Sequence, residues 1–264
     1  MKNDSPPILK SEILELFEKE EYICIINSKR IINDKLRYIK GNGFFIELNE
    51  ACIPFNKCLI TCNHLLNEED IKIGNIIILE YQNKKIKLDI TKIRRVFTDK
   101  QLDYTLIEIF DNDKIKYFFP IQINPNFDEI PHKNDEVFLL QYPRGSPELV
   151  FSYGKILEIR DDNIIHNCSS VYGSGGGPLL LRKNLLVIGI HIGSTEWYKI
   201  ATSIKSIIED IKKKSVIFKS IDYKEKYKNL EKIGNGNFGT VFKGTKDKEN
   251  WALKIIDKED MRKD

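Results

Sequence analysis

Between residues 22 and 200 the chain is a succession of short apolar runs, some alternating and some continuous, cut by Asn, Asp, Gly and Pro. The runs fall at 22–26, 44–48, 59–62, 76–81, 86–96, 105–109, 137–141, 149–159, 178–181, 185–192 and 199–202. Many short strands with no helical period between them predict an all-β, antiparallel sandwich or barrel rather than a βαβ fold. Two stretches instead repeat at the helical period. Residues 8–20 put Leu9, Ile13, Leu16 and Phe17 on one face, and residues 203–213 do the same with Ile204, Ile207, Ile208 and Ile211. Each predicts an amphipathic helix, one on either side of the β region.

Composition narrows the picture. A chain of 264 residues with 41% hydrophobic content buries a sizeable core and has room for one domain of about 200 residues plus a smaller element. The 42 basic and 39 acidic residues leave a formal charge of +3, too little to drive association with nucleic acid or anionic lipid, so runs such as Lys212-Lys213-Lys214 read as solvated surface. No stretch approaches the roughly 20 apolar residues of a membrane span, and residues 1–7 carry no apolar signal core. The expectation is a soluble cytoplasmic chain with neither nucleic-acid nor membrane partners. Its five cysteines, Cys24, Cys52, Cys58, Cys62 and Cys168, are odd in number and form no Cys-x-x-Cys pair. They read as reduced thiols packed as small hydrophobes; a zinc site from Cys58, Cys62 and His64 is the alternative, at a spacing that fits no recurring ligand pattern.

The chemistry gathers around Tyr172-Gly173-Ser174-Gly175-Gly176-Gly177-Pro178. A turn this rich in glycine lets backbone N–H groups converge into a small anion-binding pocket. Upstream stand Gly41-Asn42-Gly43-Phe44, then Thr61-Cys62-Asn63-His64, then Asp103 at the head of the apolar run Tyr104-Thr105-Leu106-Ile107. In this order the four segments resemble the trypsin-like serine proteases, over roughly residues 22–214. The resemblance implies a double β-barrel, with barrels at about 22–125 and 126–214, and assigns His64 as general base and Asp103 as the carboxylate that orients it. It makes Gly173 and Gly175 the oxyanion-hole donors. The family's Gly-x-Ser-Gly-Gly-Pro, aligned back from Pro178, places Gly175 at the nucleophile and Ser174 at the variable position. Glycine has no attacking atom, so three explanations stand side by side: an inactive protease homologue that keeps its cleft for binding a peptide or protein, a replaced serine, or Ser174 serving as nucleophile after a one-residue slip.

A further likeness concerns substrate. Val187-Ile188-Gly189-Ile190-His191-Ile192-Gly193 is similar to the strand that walls the specificity pocket of glutamyl endopeptidases, which implies that His191, with Ser170, would hold an acidic side chain. Imidazolium and hydroxyl suit Glu, and a neutral imidazole suits Gln; the other reading of His191 is a buried strand histidine with a local partner. His132 and His166 gain no role. No metal or other cofactor is implied for this part.

Beyond a Lys-rich linker at 215–226 comes Ile233-Gly234-Asn235-Gly236-Asn237-Phe238-Gly239-Thr240-Val241, then Trp251-Ala252-Leu253-Lys254-Ile255. The pairing of this glycine pattern with an apolar-Ala-apolar-Lys strand resembles the opening of a eukaryotic-type protein kinase. The resemblance implies ATP with Mg as ligand of a full-length kinase. Ile233, Gly234, Gly236 and Gly239 would lie over the phosphates, Val241 and Ala252 against adenine, and Lys254 on the α- and β-phosphates. No helix glutamate, His-Arg-Asp loop or Asp-Phe-Gly follows before Asp264, so the expectation is a truncated lobe at 227–264, after an N-terminal helix at 1–21 and the protease-like domain at 22–214.

Overall fold

A computed structural model describes residues 7–32, 35–48, 55–121, 130–219, 228–236, 239–246 and 249–255. The chain divides into two compact units, Met1–Lys212 and Lys213–Asp264. Cys52 and most of the expected linker lie outside the described residues.

The first unit opens with α1 (Lys10–Glu18), which ends in a 3-10 turn at Lys19–Tyr22. Of the apolar face expected here only Leu16 is fully buried, while Leu9 and Phe17 are more than half exposed. The helix is instead held by charge. The Arg182 guanidinium grips Glu12 at 2.7 and 2.8 Å and Glu136 at 2.9 Å.

Eight strands follow: β1 (Ile23–Ile32), β2 (Lys35–Leu48), β3 (Lys57–Thr61), β4 (Ile76–Tyr81), β5 (Lys84–Asp89), β6 (Val96–Asp99), β7 (Tyr104–Glu108) and β8 (Phe119–Ile121). They form one sheet in the order β5-β4-β1-β2-β3-β7-β6, with β8 added parallel to β2. Six more strands close into a barrel in the order β10-β11-β14-β13-β12-β9: β9 (Glu136–Gln141), β10 (Val150–Arg160), β11 (Asn163–His166), β12 (Pro178–Leu181), β13 (Val187–Ser194) and β14 (Lys199–Ser203). The architecture is the all-β double barrel, with the first half curled but not closed.

The continuous apolar runs are explained by three cores. Successive side chains of a strand point to opposite faces, and here both faces are dry. In β2, Phe44 and Ile46 join the core between the two halves while Phe45 enters the core of the first sheet. In β9, Phe138 and Leu140 face the shared core, and Val137 and Leu139 face the inside of the barrel. Strand β12 repeats this with Leu180 against Leu179 and Leu181. The shared core also takes Ile204, Ile207, Ile208 and Ile211 from α2 (Ile204–Lys219), pinned by the buried Tyr104 hydroxyl donating to Asp210 at 2.5 Å.

The structure departs from the sequence expectations at three places. The run at 86–96 is two strands, because the chain turns after Asp89 and Arg94 is buried there, donating to the Asp89 and Glu108 carbonyls and to both Asp113 oxygens. The three- and four-residue strands β8 and β11 were not expected. Helix α2 runs to Lys219, into the stretch read as linker, since nothing from 204 to 219 is Gly or Pro.

The second unit is a three-stranded antiparallel meander of β15 (Lys228–Gly236), β16 (Gly239–Lys246) and β17 (Glu249–Ile255). Its register sets Gly234 opposite Val241, Gly236 opposite Gly239, and Val241 opposite Lys254. Asn237 and Phe238, at the tip of the glycine loop, lie outside the described residues.

Candidate active site

Strand β3 ends at Thr61, and the chain turns at once, with Leu65 and Leu66 N–H donating back to the Cys62 carbonyl at 3.2 and 3.1 Å. This turn lifts His64 to the rim, its side chain about half exposed. Asp103 arrives from the β6–β7 turn with φ of 50°, a left-handed conformation that Asp tolerates better than most residues. Its carboxylate meets His64 twice, accepting from the backbone N–H at 2.9 Å and facing Nδ1 at 2.7 Å. The Nδ1 contact orients the ring, leaving Nε2 for a reacting group. Arg30, which no pattern singled out, steadies this turn. It donates to the His64 and Leu65 carbonyls at 2.8 and 2.7 Å and is itself paired with Asp70.

The glycine loop faces this pair. A Cβ placed on Gly175 would stand 3.0 Å from His64 Nε2, so the bare Cα lies about one atom's width from the imidazole. Gly173 and Gly176 take φ of 86° and 85°, where side chains are strained, whereas Gly175 does not lie in that region. Two carbonyls on the loop accept hydrogen bonds: Tyr172 O from Arg144 N–H, outside the loop, at 3.0 Å, and Ser174 O from Gly177 N–H, within it, at 3.3 Å. In a trans peptide the N–H points opposite its C=O. The amides of Gly173 and Gly175, which share those two peptide planes, are therefore turned the other way. Among the described residues no group accepts from either. Two such amides can receive an oxygen that carries negative charge.

Asn42 holds the loop. It is fully buried; its amide side chain donates to the Gly173 and Gly175 carbonyls at 2.9 and 3.3 Å and accepts from Tyr142 N–H at 2.6 Å. Its backbone N–H donates to Gly175 O at 2.8 Å, and its carbonyl accepts from Thr61 Oγ1 at 2.7 Å. A Cβ on Gly176 would meet that carbonyl at 1.9 Å, so glycine is required there by space as well as by φ. Ser174 is placed against the slip mechanism. Its side chain is 1% exposed and its Oγ accepts from Val171 N–H at 3.0 Å, pointing into the loop and away from the histidine.

His191 lies in β13 behind the loop, its backbone N–H and carbonyl bonded to Gly177 and Gly176 at 2.9 and 2.8 Å. Its ring is 2% exposed and packs edge-on against His166, with ring centres 5.4 Å apart. Burial, with Lys199 and His64 nearby, pushes His191 down to about 4; burial and the neighbouring His191 push His166 down to about 3. Both imidazoles are therefore neutral at pH 7, and His191 Nδ1 and His166 Nε2 are buried with no partner. The imidazolium expected for binding Glu is not the resting form. Ser170 is half-buried and makes no hydrogen bond to His191.

Cys24, Cys58, Cys62 and Cys168 are free and buried. The zinc alternative shifts in composition, since Cys62, His64 and Asp103 present ligand atoms within 4.8 Å of one another and Cys58 is not among them. Burial and Asp103 raise the Cys62 thiol well above its ordinary range, and it donates to the His191 carbonyl at 3.3 Å. Two hollows, about 650 and 1020 Å³, lie elsewhere in the first unit, and neither is lined by His64, Asp103 or Gly175. With the His64 side chain about half exposed, the site opens at the surface. In the second unit Ile233 is 55% exposed and Ala252 is exposed.

A family model described as trypsin-like peptidase domain matches residues 41–190, a span holding His64, Asp103 and the glycine loop. No curated protein matches the chain. Among solved structures, the active form of the Rv3671c protease from M. tuberculosis superposes with a TM-score of 0.56 at 16% identity, covering 79% of this chain and 91% of that one. The inactive form of a serine-to-alanine mutant of Rv3671c gives 0.53 at 15% identity, covering 75% and 88%.

Proposed function

The chain belongs to the trypsin-like peptidase domain family, and we propose that it is a member without hydrolytic activity, whose cleft binds a peptide or protein segment. The observation that carries this reading is the pairing of a complete dyad and amide pocket with a nucleophile position that has no side chain. Acyl transfer needs an atom that attacks and is later released, and the hydroxyl next to position 175, on Ser174, is buried and accepts from Val171 N–H. Binding needs neither. The amides of Gly173 and Gly175 would receive a peptide carbonyl, and His191, neutral and short of one hydrogen bond, would suit a Gln side chain better than Glu, with Ser170 a second polar contact.

The test is hydrolysis of Gln- and Glu-containing peptides by the chain and by Gly175→Ser. The expected result is no turnover by the first and turnover by the second that depends on His64. Turnover by the unaltered chain that survives His64→Ala would overturn the reading.

A second reading rests on the same 3.0 Å approach. Because Gly175 has a backbone conformation open to any residue, a native serine there would make the domain a Glu- or Gln-directed endopeptidase. For the second unit we infer the opening strands of a protein kinase, with ATP and Mg as ligands of the full-length enzyme and the peptide-binding domain as its sensor. The motif and the meander that carries it, with Val241 and Lys254 in register, support this reading. A cytoplasmic location is supported by the buried reduced thiols. Among the described residues no helix is long and apolar enough to cross a membrane.

A further inference from the structure

The place where a nucleophile's oxygen would sit is bounded on three sides. His64 Nε2 lies beyond it, the bare Cα of Gly175 beneath it, and the uncommitted amides of Gly173 and Gly175 beside it. An internal peptide carbonyl has one oxygen and engages only the amides. It leaves the space beside Nε2 unfilled. A carboxylate has two oxygens at a fixed separation. One would take the amide pocket and the other would rest on Gly175 Cα within hydrogen-bond reach of Nε2.

The electrostatics favour the same ligand. Asp103 already faces Nδ1 at 2.7 Å, so a carboxylate at Nε2 would bracket the ring between two carboxylates, and its hydrogen bonds to the amide pocket would be charge-assisted. Arg144 N–H and Gly177 N–H hold the two amide planes before any ligand arrives, so no ordering of the loop is required.

We propose that the cleft recognises the free C-terminal carboxylate of a peptide. This rests on the peptide-binding reading above and specifies its ligand: a chain end, such as a proteolytic fragment, instead of a continuous segment. The absence of a side chain at position 175 then becomes the recognition element. In a member with serine there, the hydroxyl would occupy the space that the second carboxylate oxygen requires.

The experiment uses fluorescein-labelled hexapeptides ending in Gln or Glu, each as the free acid, as the C-terminal amide, and extended by one alanine, titrated against the whole chain by fluorescence polarisation. The free acid should bind about tenfold more tightly than either of the other two, the difference between charge-assisted and neutral hydrogen bonds. Gly175→Ala, which sets a methyl 3.0 Å from Nε2, should erase that preference, bringing acid, amide and extended peptide to the same affinity. His64→Gln should erase it too. Circular dichroism spectra confirm that each variant is folded. Equal binding of acid, amide and extended peptide overturns the carboxylate proposal and leaves the peptide-binding reading standing. Preference for the acid that survives both substitutions also overturns it. Failure of every peptide to bind removes both.

Discussion

The two halves of the protease-like unit build the site from different materials. The first sheet contributes side chains: His64 and Asp103, each raised on a turn at a strand end, with Arg30 bracing the histidine from behind. The closed barrel contributes backbone: the amides of Gly173 and Gly175, fixed by carbonyls that accept from Arg144 and Gly177. A side-chain function is lost by one substitution at the residue that carries it. A backbone function survives almost any change that leaves the local φ and ψ in place. On the reading proposed above, the one side chain that the barrel half would supply to the chemistry belongs at position 175, where this chain has glycine.

The comparison is broken most directly by placing a hydroxyl at position 175. Gly175→Ser should raise peptide hydrolysis by up to roughly six orders of magnitude, the usual weight of such a nucleophile. Mass spectrometry of the cleaved peptides would read it, and adding His64→Ala should return the rate to background.

Next in size are glycines in the two halves. Gly176→Ala drives a methyl into the Asn42 carbonyl at 1.9 Å, with φ of 85°, and should destabilise by about 4 kcal/mol, near the top of the range for single substitutions. Gly74, before β4, has φ of 96° but nothing within 4 Å, so Gly74→Ala should cost only the backbone strain, about 1–2 kcal/mol. Equal costs in urea melts would mean that the barrel-side loop is no more tightly built than a surface turn.

Asn42→Ala removes the residue that ties the halves together. It leaves the buried Tyr142 N–H and the Gly173 carbonyl without their partner, for a loss of about 2 kcal/mol. In the Gly175→Ser background it should lower kcat more than KM, because the amide pocket loosens.

The smallest effect per step is that of pH. In the fold the rings stay neutral down to about 4 for His191 and about 3 for His166, against an ordinary value of 6.5. Below 6.5 the unfolded chain therefore binds more protons than the folded one, and stability falls as pH drops, by about 1.4 kcal/mol per pH unit for each histidine. Urea midpoints at pH 7.5 and 5.5 should show the loss, and replacing both histidines with Val should remove that component.

Much of the fold was legible. Strands such as Ile76–Tyr81 and Pro178–Leu181 appear where their apolar runs lie, since a run of four to six β-forming residues bounded by turn formers has few other uses. The failures have physical causes. Strands β8 and β11 are too short to show a period, and 86–96 looks continuous until Arg94 is seen folding the chain back on Asp113. At the site, His64, Asp103 and the glycine loop could be named from their order along the chain. Asn42 and Arg30 could not. Asn42 offered only the hint of lying between two glycines, and the partners of its side chain are 100 to 133 residues away. The sequence allowed Ser174 as a stand-in nucleophile, and only the structure shows that residue buried, with its Oγ accepting from Val171 N–H.

What the sequence determined by itself is chemical inventory and local period: which strands are apolar on both faces, that glycine crowds one turn, and that no hydroxyl stands at position 175. These are properties of residues and of their near neighbours. Only the tertiary structure decided which amides are free to bind, that both inner histidines are neutral, and how narrow a gap separates Nε2 from the bare Cα. Each depends on groups far apart in the chain being brought within a few ångströms, where burial and hydrogen-bond direction set the outcome.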